Sequence, residues 1–465
     1  MKLSLKWLKE FVDIPEEISA EQLGNLITLH SAEVDAIENP GEKFANMVVG
    51  KILELHQHPN ADKLQITITD IGSKKVKIVC GGSNLFVNQL VAVALPGAKV
   101  KWHGEGELIT LEATTIRGED SYGMICASSE IGMGESKEKE ILDLTHLQVE
   151  AGTPLNEALG KNDILYDIDN KAITHRPDLW SHYGFAREIS ALTGGKLKPF
   201  QKGLLETLIP TKGEEIKLKI TNPEIITKWN SIIINNIEIA ESPLWIKQKL
   251  ESIGARSVNN IVDITNLVMY ELGQPLHAYD KNLLGDLECE IRFAKKNEKL
   301  QTLDHKERDL NEQDPVLINQ NKPIIILGIM GGANSEISET TTSILLESAH
   351  FDPTVIRKSS TFHGLRSDAS QRFEKSLDQN NTTIALLRAL ELILEVCPNA
   401  KIAGPITNIT TKQQPEIQID LRPEKINKYL GFELPVPQII EILESLEFKV
   451  SGDKILTVKV PTFRA

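Results

Sequence analysis

The sequence predicts a multidomain α+β protein, and three observations lead there. At 465 residues the chain exceeds one ordinary domain and holds material for several cores. Residues 46–150 carry short apolar runs cut by Pro, Gly and Asn, the pattern of closely spaced strands in a small barrel. From about residue 214 onward, strand-like runs alternate with helical periodicity, which gives a central mixed α/β body.

Composition narrows the function classes. Hydrophobic residues at 41% and charged residues at 25% describe a globular protein, and no apolar run approaches a membrane span, so a cytoplasmic location is expected. The opening MKLSLKWLKEFVD is amphipathic and lacks the apolar stretch of a signal peptide. A net charge of −14 excludes coating nucleic acid by bulk electrostatics, so RNA contact requires a local patch. Cys80, Cys126, Cys289 and Cys397 form no C-x-x-C pair and read as buried hydrophobes. His56 and His58 alternate along a strand without a third ligand nearby, so no metal ligand is assigned.

Residues 1–40 form an N-terminal helical segment. Leu5, Leu8, Phe11 and Val12 share a helix face, and Ser19 with Gln22 forms a capping box. So short a segment cannot bury its own core and is expected to pack on a larger body. Residues 41–152 form the barrel. In residues 153–213, Arg176, Asp178 and Arg187 suggest an ion-pair network at a junction, and Lys198 to Gly213 reads as a connector.

Residues 214–400 make the central body. Between Asn259 and Leu272, Ile261, Ile264, Val268 and Leu272 fall at helical spacing. Gly273 can end that helix in the left-handed conformation, Pro275 biases Gln274 toward extended backbone, and the chain re-emerges at His277. From the residues alone the preferred reading is a core helix with a tight turn, Asp263 and Asn266 capping loops and His277 a satisfied core histidine. The glycines at 328, 331 and 332 lack nucleotide-binding spacing and read as backbone that admits a ligand closely. A strand at 343–346 delivers Glu347, and Ser367 or Asp368 is expected to cap a long helix. Residues 401–465 form a small domain of strands around two helices.

The run N-x-V-D-x-T-N-x-V-M-x-E-x-G-Q-P-L-H-A-x-D, from Asn260 to Asp280, resembles the editing domain of the bacterial phenylalanyl-tRNA synthetase beta subunit. GIMGG, LLESAHFDP and GLRSDASQRFEKSLD are similar to the same family in the same order, with Lys375-Ser376-Leu377 replacing a common Arg-Gly-Val. HPNADKL at His58, VCGGSN at Val79, ALPGA at Ala94 and IRGEDSYGMICASSEIGM at Ile116 resemble the oligonucleotide-binding barrel appended to several synthetases.

The resemblance implies an oligonucleotide-binding β-barrel, a central mixed α/β editing domain and a small winged-helix-like α+β domain. It implies catalytic roles for Thr265, Asn266, His277 and Glu347, and substrate contacts from Arg256, Pro275, Gly331, Ser367 and Ala369. Lys51, Lys63, Lys75, Lys99 and Arg117 become the RNA-binding candidates, with a structural or partner-docking barrel as the open alternative. It further implies an alpha subunit in an α2β2 assembly, tRNA(Phe) as partner, ATP bound by the alpha subunit, and Mg2+ whose family ligands lie beyond Ala465. On that reading the chain is a truncated beta subunit that binds tRNA and hydrolyses mischarged Tyr-tRNA(Phe). The alternatives are a non-catalytic tRNA-binding or assembly protein and a free-standing deacylase.

Overall fold

A computed structural model describes residues 1–137, 139–200 and 206–464. Part of the expected connector and the terminal Ala465 lie outside the described residues. The chain divides into two compact units, Glu38–Leu165 on one hand and Met1–Ile37 with Tyr166–Ala465 on the other.

Glu38–Leu165 is built on a five-stranded antiparallel sheet, in the order Met124–Ile125, Leu90–Ala94, Met47–Gln57, Gln65–Asp70, Lys75–Cys80. The long Met47–Gln57 strand shifts register between Ile52 and Glu54, which bends it and lets it pair on both edges. Curling then brings the ends near each other: Tyr122 N donates to Lys77 O at 2.8 Å, and Val79 N donates to Ser121 Oγ at 3.0 Å. The barrel is nearly closed. Leu90–Ala94 is buried along its whole length because alternate side chains enter two different cores, Ala92 and Ala94 one and Val91 and Val93 the other. His58 is tied to the turn, with Nε2 against Ile116 O at 3.1 Å and Nδ1 accepting from Asn60 N at 3.0 Å.

The larger unit contains two stacked sheets. One has His277–Asp280, Ser343–Phe351 and Ile226–Asn235 in that order, with Thr407–Thr410 and Lys401–Ile402 on the last strand's outer edge. The other runs Lys217–Ile220, Glu288–Phe293, Pro315–Asn319, Lys322–Ile326, Met330–Gly331. Strand alternation sends Trp229, Ile233, Leu345, Ala349 and Phe351 into a common core with Ile291, Leu317 and Ile325. The opposite face of the first sheet meets the helix Asn381–Val396, where Asn230 Nδ2 donates to Thr382 Oγ1 at 2.8 Å. The helix Asn260–Leu272 packs beside that helix.

Helix Leu5–Phe11 is capped by Ser4, and helix Ala20–His30 carries the expected Ser19–Gln22 capping box. Trp7 stacks on His182 at 4.0 Å between ring centroids, which fastens the first helix to helix His182–Thr193. The ion-pair network forms: Arg176 Nη2 binds Asp178 at 2.7 Å and Glu188 at 2.5 Å, and Arg187 Nη1 lies 4.0 Å from Asp178. The C-terminal sheet has the order Ile417–Leu421, Leu456–Val460, Lys449–Ser451, flanked by helices Pro423–Leu430 and Val436–Ser445. It enters the same network through Arg464, whose Nη2 reaches Glu188 at 2.9 Å.

Two local expectations are corrected. The helix capped by Ser367 is short, Asp368–Phe373, because Ser376 adopts φ 61° and breaks it before the next helix begins at Asn381. The strand read as ending at Leu346 continues to Phe351, since His277–Asp280 and Ile226–Asn235 hydrogen-bond it on both sides.

Candidate active site

The helix Asn260–Leu272 starts at Asn259, whose side chain accepts from Val262 N at 2.9 Å. It stops at Gly273, φ 77°, whose N–H returns to Met269 O at 2.8 Å. The turn that follows is pinned by Gln274, whose Nε2 donates to Pro275 O at 3.0 Å and to Ala349 O at 2.8 Å. Pro275 is buried within it. The turn is thereby anchored to the strand that bears Glu347, and His277 leaves it as the first residue of the edge strand.

Two polar residues of the helix serve structure. Buried Asp263 accepts from Ser242 Oγ and Ser257 Oγ, both at 2.5 Å, and from Val258 N at 2.8 Å, so it shapes the loop that presents exposed Arg256. Thr265 Oγ1 donates to its own helix at Val262 O, 2.7 Å. Asn266 is half-buried, and among the described residues its side chain makes no hydrogen bond.

His277 and Glu347 are direct partners across the antiparallel pair, so their side chains share the inter-sheet face. Ser231 is the partner of Glu347 on its other side and accepts from Trp229 Nε1 at 2.9 Å. Tyr279, two residues after His277, points the same way. Its hydroxyl donates to Glu347 Oε2 at 2.5 Å, and its ring lies edge-on to the His277 imidazole at 4.5 Å. Sequence reading passed over Tyr279; the signal was the period of two that follows His277 along a strand.

Electrostatics at this face follow from burial. Glu347 is 4% exposed, and loss of hydration pushes its carboxyl up to about 7, with the Tyr279 hydrogen bond opposing the rise. The same desolvation holds the His277 imidazole down at about 4, neutral near pH 7. Burial and the adjoining Glu347 carboxylate raise the Tyr279 phenol well above its ordinary range.

Gly331 packs against the His277 ring. A Cβ there would lie 2.7 Å from His277 Cε1, so only glycine lets the Met330–Gly331 strand approach the ring. Ser367 Oγ donates to Ile329 O at 2.8 Å and accepts from Ser370 N at 3.1 Å, which ties the glycine loop to the short helix; Ala369 packs against the inter-sheet core. His277 thus lies against Gly331 and is the strand partner of Glu347, with Ser367 and Ala369 supporting the loop. Among the described residues no hydrogen bond or ion pair joins Arg256, Thr265 or Asn266 to them.

The barrel cations separate into groups. Lys51 and Lys75 are both register partners of Asp70, at one end of strand Gln65–Asp70. Lys63 and Arg117 lie toward the other end, where Asn60 Nδ2 donates to Arg117 O at 3.2 Å and brings the two turns together. Lys99 stands apart on the hairpin strand Lys99–Lys101. All but half-buried Lys51 are exposed. Among the described residues no group of three His, Cys, Asp or Glu side chains is arranged to hold a metal ion.

Known families match most of the chain in consecutive blocks: a putative tRNA binding domain over residues 47–154, a B3/4 domain over 227–398 and a tRNA synthetase B5 domain over 419–465. The phenylalanine–tRNA ligase beta subunit of Syntrophus aciditrophicus is 36% identical over 100% of this chain. The chain belongs to the phenylalanine–tRNA ligase beta-subunit family. The Clostridium acetobutylicum member is 37% identical, again over 100% of this chain. In both comparisons the match spans 57% of the relative's length. Among solved structures, an N-terminal fragment of the phenylalanyl-tRNA synthetase beta subunit from Pyrococcus horikoshii aligns with 65% of this chain and 83% of its own. At 17% identity and a TM-score of 0.34 that alignment adds nothing to the family assignment. His277, Glu347 and Gly331 all fall within the B3/4 match, and the barrel cations within the tRNA-binding match.

Proposed function

We propose that this chain provides tRNA binding and hydrolytic editing for a phenylalanine–tRNA ligase that joins ATP, L-phenylalanine and tRNA(Phe) into Phe-tRNA(Phe), AMP and diphosphate. Residues 41–152 act as the oligonucleotide-binding barrel and residues 214–400 as the editing domain. Residues 1–40 are an N-terminal helical segment that packs on the body, residues 153–213 link to the central body, and residues 401–465 are the winged-helix-like domain. Adenylation and ATP belong to an alpha subunit in an α2β2 cytoplasmic assembly. Mg2+ belongs to the assembled ligase.

The observation that carries the reading is a buried carboxyl, Glu347, whose strand partner is the His277 imidazole, with Gly331 packed against that ring. A phenylalanine pocket rejects one added hydroxyl only about a hundredfold, so tyrosine demands a second site that recognises the phenol by hydrogen bonding. Glu347 accepts that phenol. His277 is neutral near pH 7 yet, at about 4, a weak base, so it orients water or the terminal ribose at the ester rather than removing a proton by itself. Asn266 holds the ribose, Thr265 keeps its helix turn in place, Gly331 and Ala369 leave room for the ring, and Arg256 and Lys63 meet the RNA backbone. Glu347→Ala in the assembled ligase should let Tyr-tRNA(Phe) accumulate while Phe-tRNA(Phe) synthesis continues. Unchanged Tyr-tRNA levels would remove the proposal.

A further inference from the structure

We infer that Tyr279 is a positioning and specificity residue: its phenol occupies one oxygen of Glu347 and holds the carboxylate as an acceptor for a second, incoming hydroxyl. The inference rests on the editing reading for its substrate, though not for its geometry. Glu347 Oε2 takes the Tyr279 hydroxyl at 2.5 Å, and among the described residues Oε1 accepts no hydrogen bond. A carboxylate in an apolar core stays ionised only where donors replace water.

Among the described residues no hydrogen bond other than that of Tyr279 reaches the Glu347 carboxyl. From its own neighbour strand, His277 is the register partner and neutral near pH 7, and among the described residues its ring N–H makes no hydrogen bond to Glu347. From the other neighbour strand, Ser231 accepts from Trp229 Nε1, and among the described residues its own O–H makes no hydrogen bond to Glu347. From the second sheet, the buried Cys289 thiol, pushed up to about 12, makes no hydrogen bond to Glu347 among the described residues. Without the Tyr279 hydroxyl, Glu347 holds its proton to higher pH and meets a ligand as a donor. A phenol oxygen accepts poorly, so the preference for a phenolic ring over a phenyl ring falls. The strand period fixes this arrangement: Tyr279 reaches Glu347 only because it lies two residues beyond His277 on the same face.

The test compares the wild-type chain, Tyr279→Phe, Glu347→Gln and the double variant on two substrates, tyrosyl-tRNA(Phe) and phenylalanyl-tRNA(Phe), between about pH 5 and about pH 9. Infrared difference titration, with Glu347→Gln as the blank, follows the carboxyl directly. Tyr279→Phe should move the Glu347 midpoint upward by about one unit and raise KM for the tyrosyl ester about tenfold near neutral pH, with kcat and the phenylalanyl ester little changed. Raising the pH should recover the loss, and the Tyr279 effect should vanish in the Glu347→Gln background. Fluorotyrosine incorporated at position 279, a stronger donor, should move the midpoint downward, and this keeps the question decidable if Tyr279→Phe does not fold. An unmoved midpoint, or equal losses on both esters, overturns the inference. If the wild type hydrolyses neither ester, the editing reading falls, and the infrared titration alone upholds or overturns the role of Tyr279.

Discussion

At the residue scale, Glu347 and His277 oppose each other in their effect on stability. The Glu347 carboxyl ordinarily titrates at 4.5 and here at about 7, so over that window the folded chain keeps a proton that the unfolded chain has released. Its stabilising contribution is complete below the lower value and is lost as pH rises through the upper one, a change on the order of 3 kcal/mol. His277 runs the other way, from 6.5 down to about 4: its contribution is present above the higher value and lost as pH falls through the lower. Glu347→Gln removes the first effect and leaves the second. Urea denaturation should find the variant gaining on the wild type as pH rises from about 5 to about 8, by up to about 3 kcal/mol. A constant difference across that range would mean that Glu347 is not held protonated by the fold.

At the scale of elements, glycine and its replacements decide the fit. Gly331→Ala puts a methyl group 2.7 Å from His277 Cε1, so the ring or the Met330–Gly331 strand must shift. Tyrosyl-ester hydrolysis should fall at least about tenfold with the fold intact, since a displacement of about 1 Å in a reacting group carries that cost. Wild-type rates from a folded Gly331→Ala chain would place the reacting ester away from Gly331. Ser376 holds φ 61° where the family resemblance expects glycine, and Ser376→Gly should raise stability by about 1 kcal/mol in the same denaturation experiment. These details also mark what the sequence made legible. The helix Asn260–Leu272 with its Gly273 stop and the emergence of His277 were readable, because capping and periodicity are local. The Tyr279–Glu347 hydrogen bond was not, because it joins residues 68 positions apart and depends on strand register. The long helix after Ser367 failed for a related reason: apolar periodicity runs on through Leu377, and nothing in side-chain pattern announces a serine in the left-handed region.

At the scale of the larger unit, Glu188 is the hinge of the ion-pair network. It receives Arg176 at 2.5 Å, Arg464 at 2.9 Å and Ser31 Oγ at 3.0 Å, and so links the N-terminal helices, the middle segment and the C-terminal strands. Glu188→Ala leaves half-buried Arg176 with only Asp178 and Arg464 without this partner. A loss of about 3 kcal/mol and early proteolysis within residues 401–465 are expected, as when one member of a buried charge cluster is removed. Equal protection of the C-terminal segment in wild type and variant would show that other contacts carry it. The central claim concerns the inter-sheet face, and the most direct measurement is ester hydrolysis by the purified chain on tyrosyl-tRNA(Phe) and phenylalanyl-tRNA(Phe). The account predicts selective release of tyrosine that is lost in Glu347→Ala and His277→Ala; release of both amino acids at equal rates, or selective release that survives both substitutions, would contradict it.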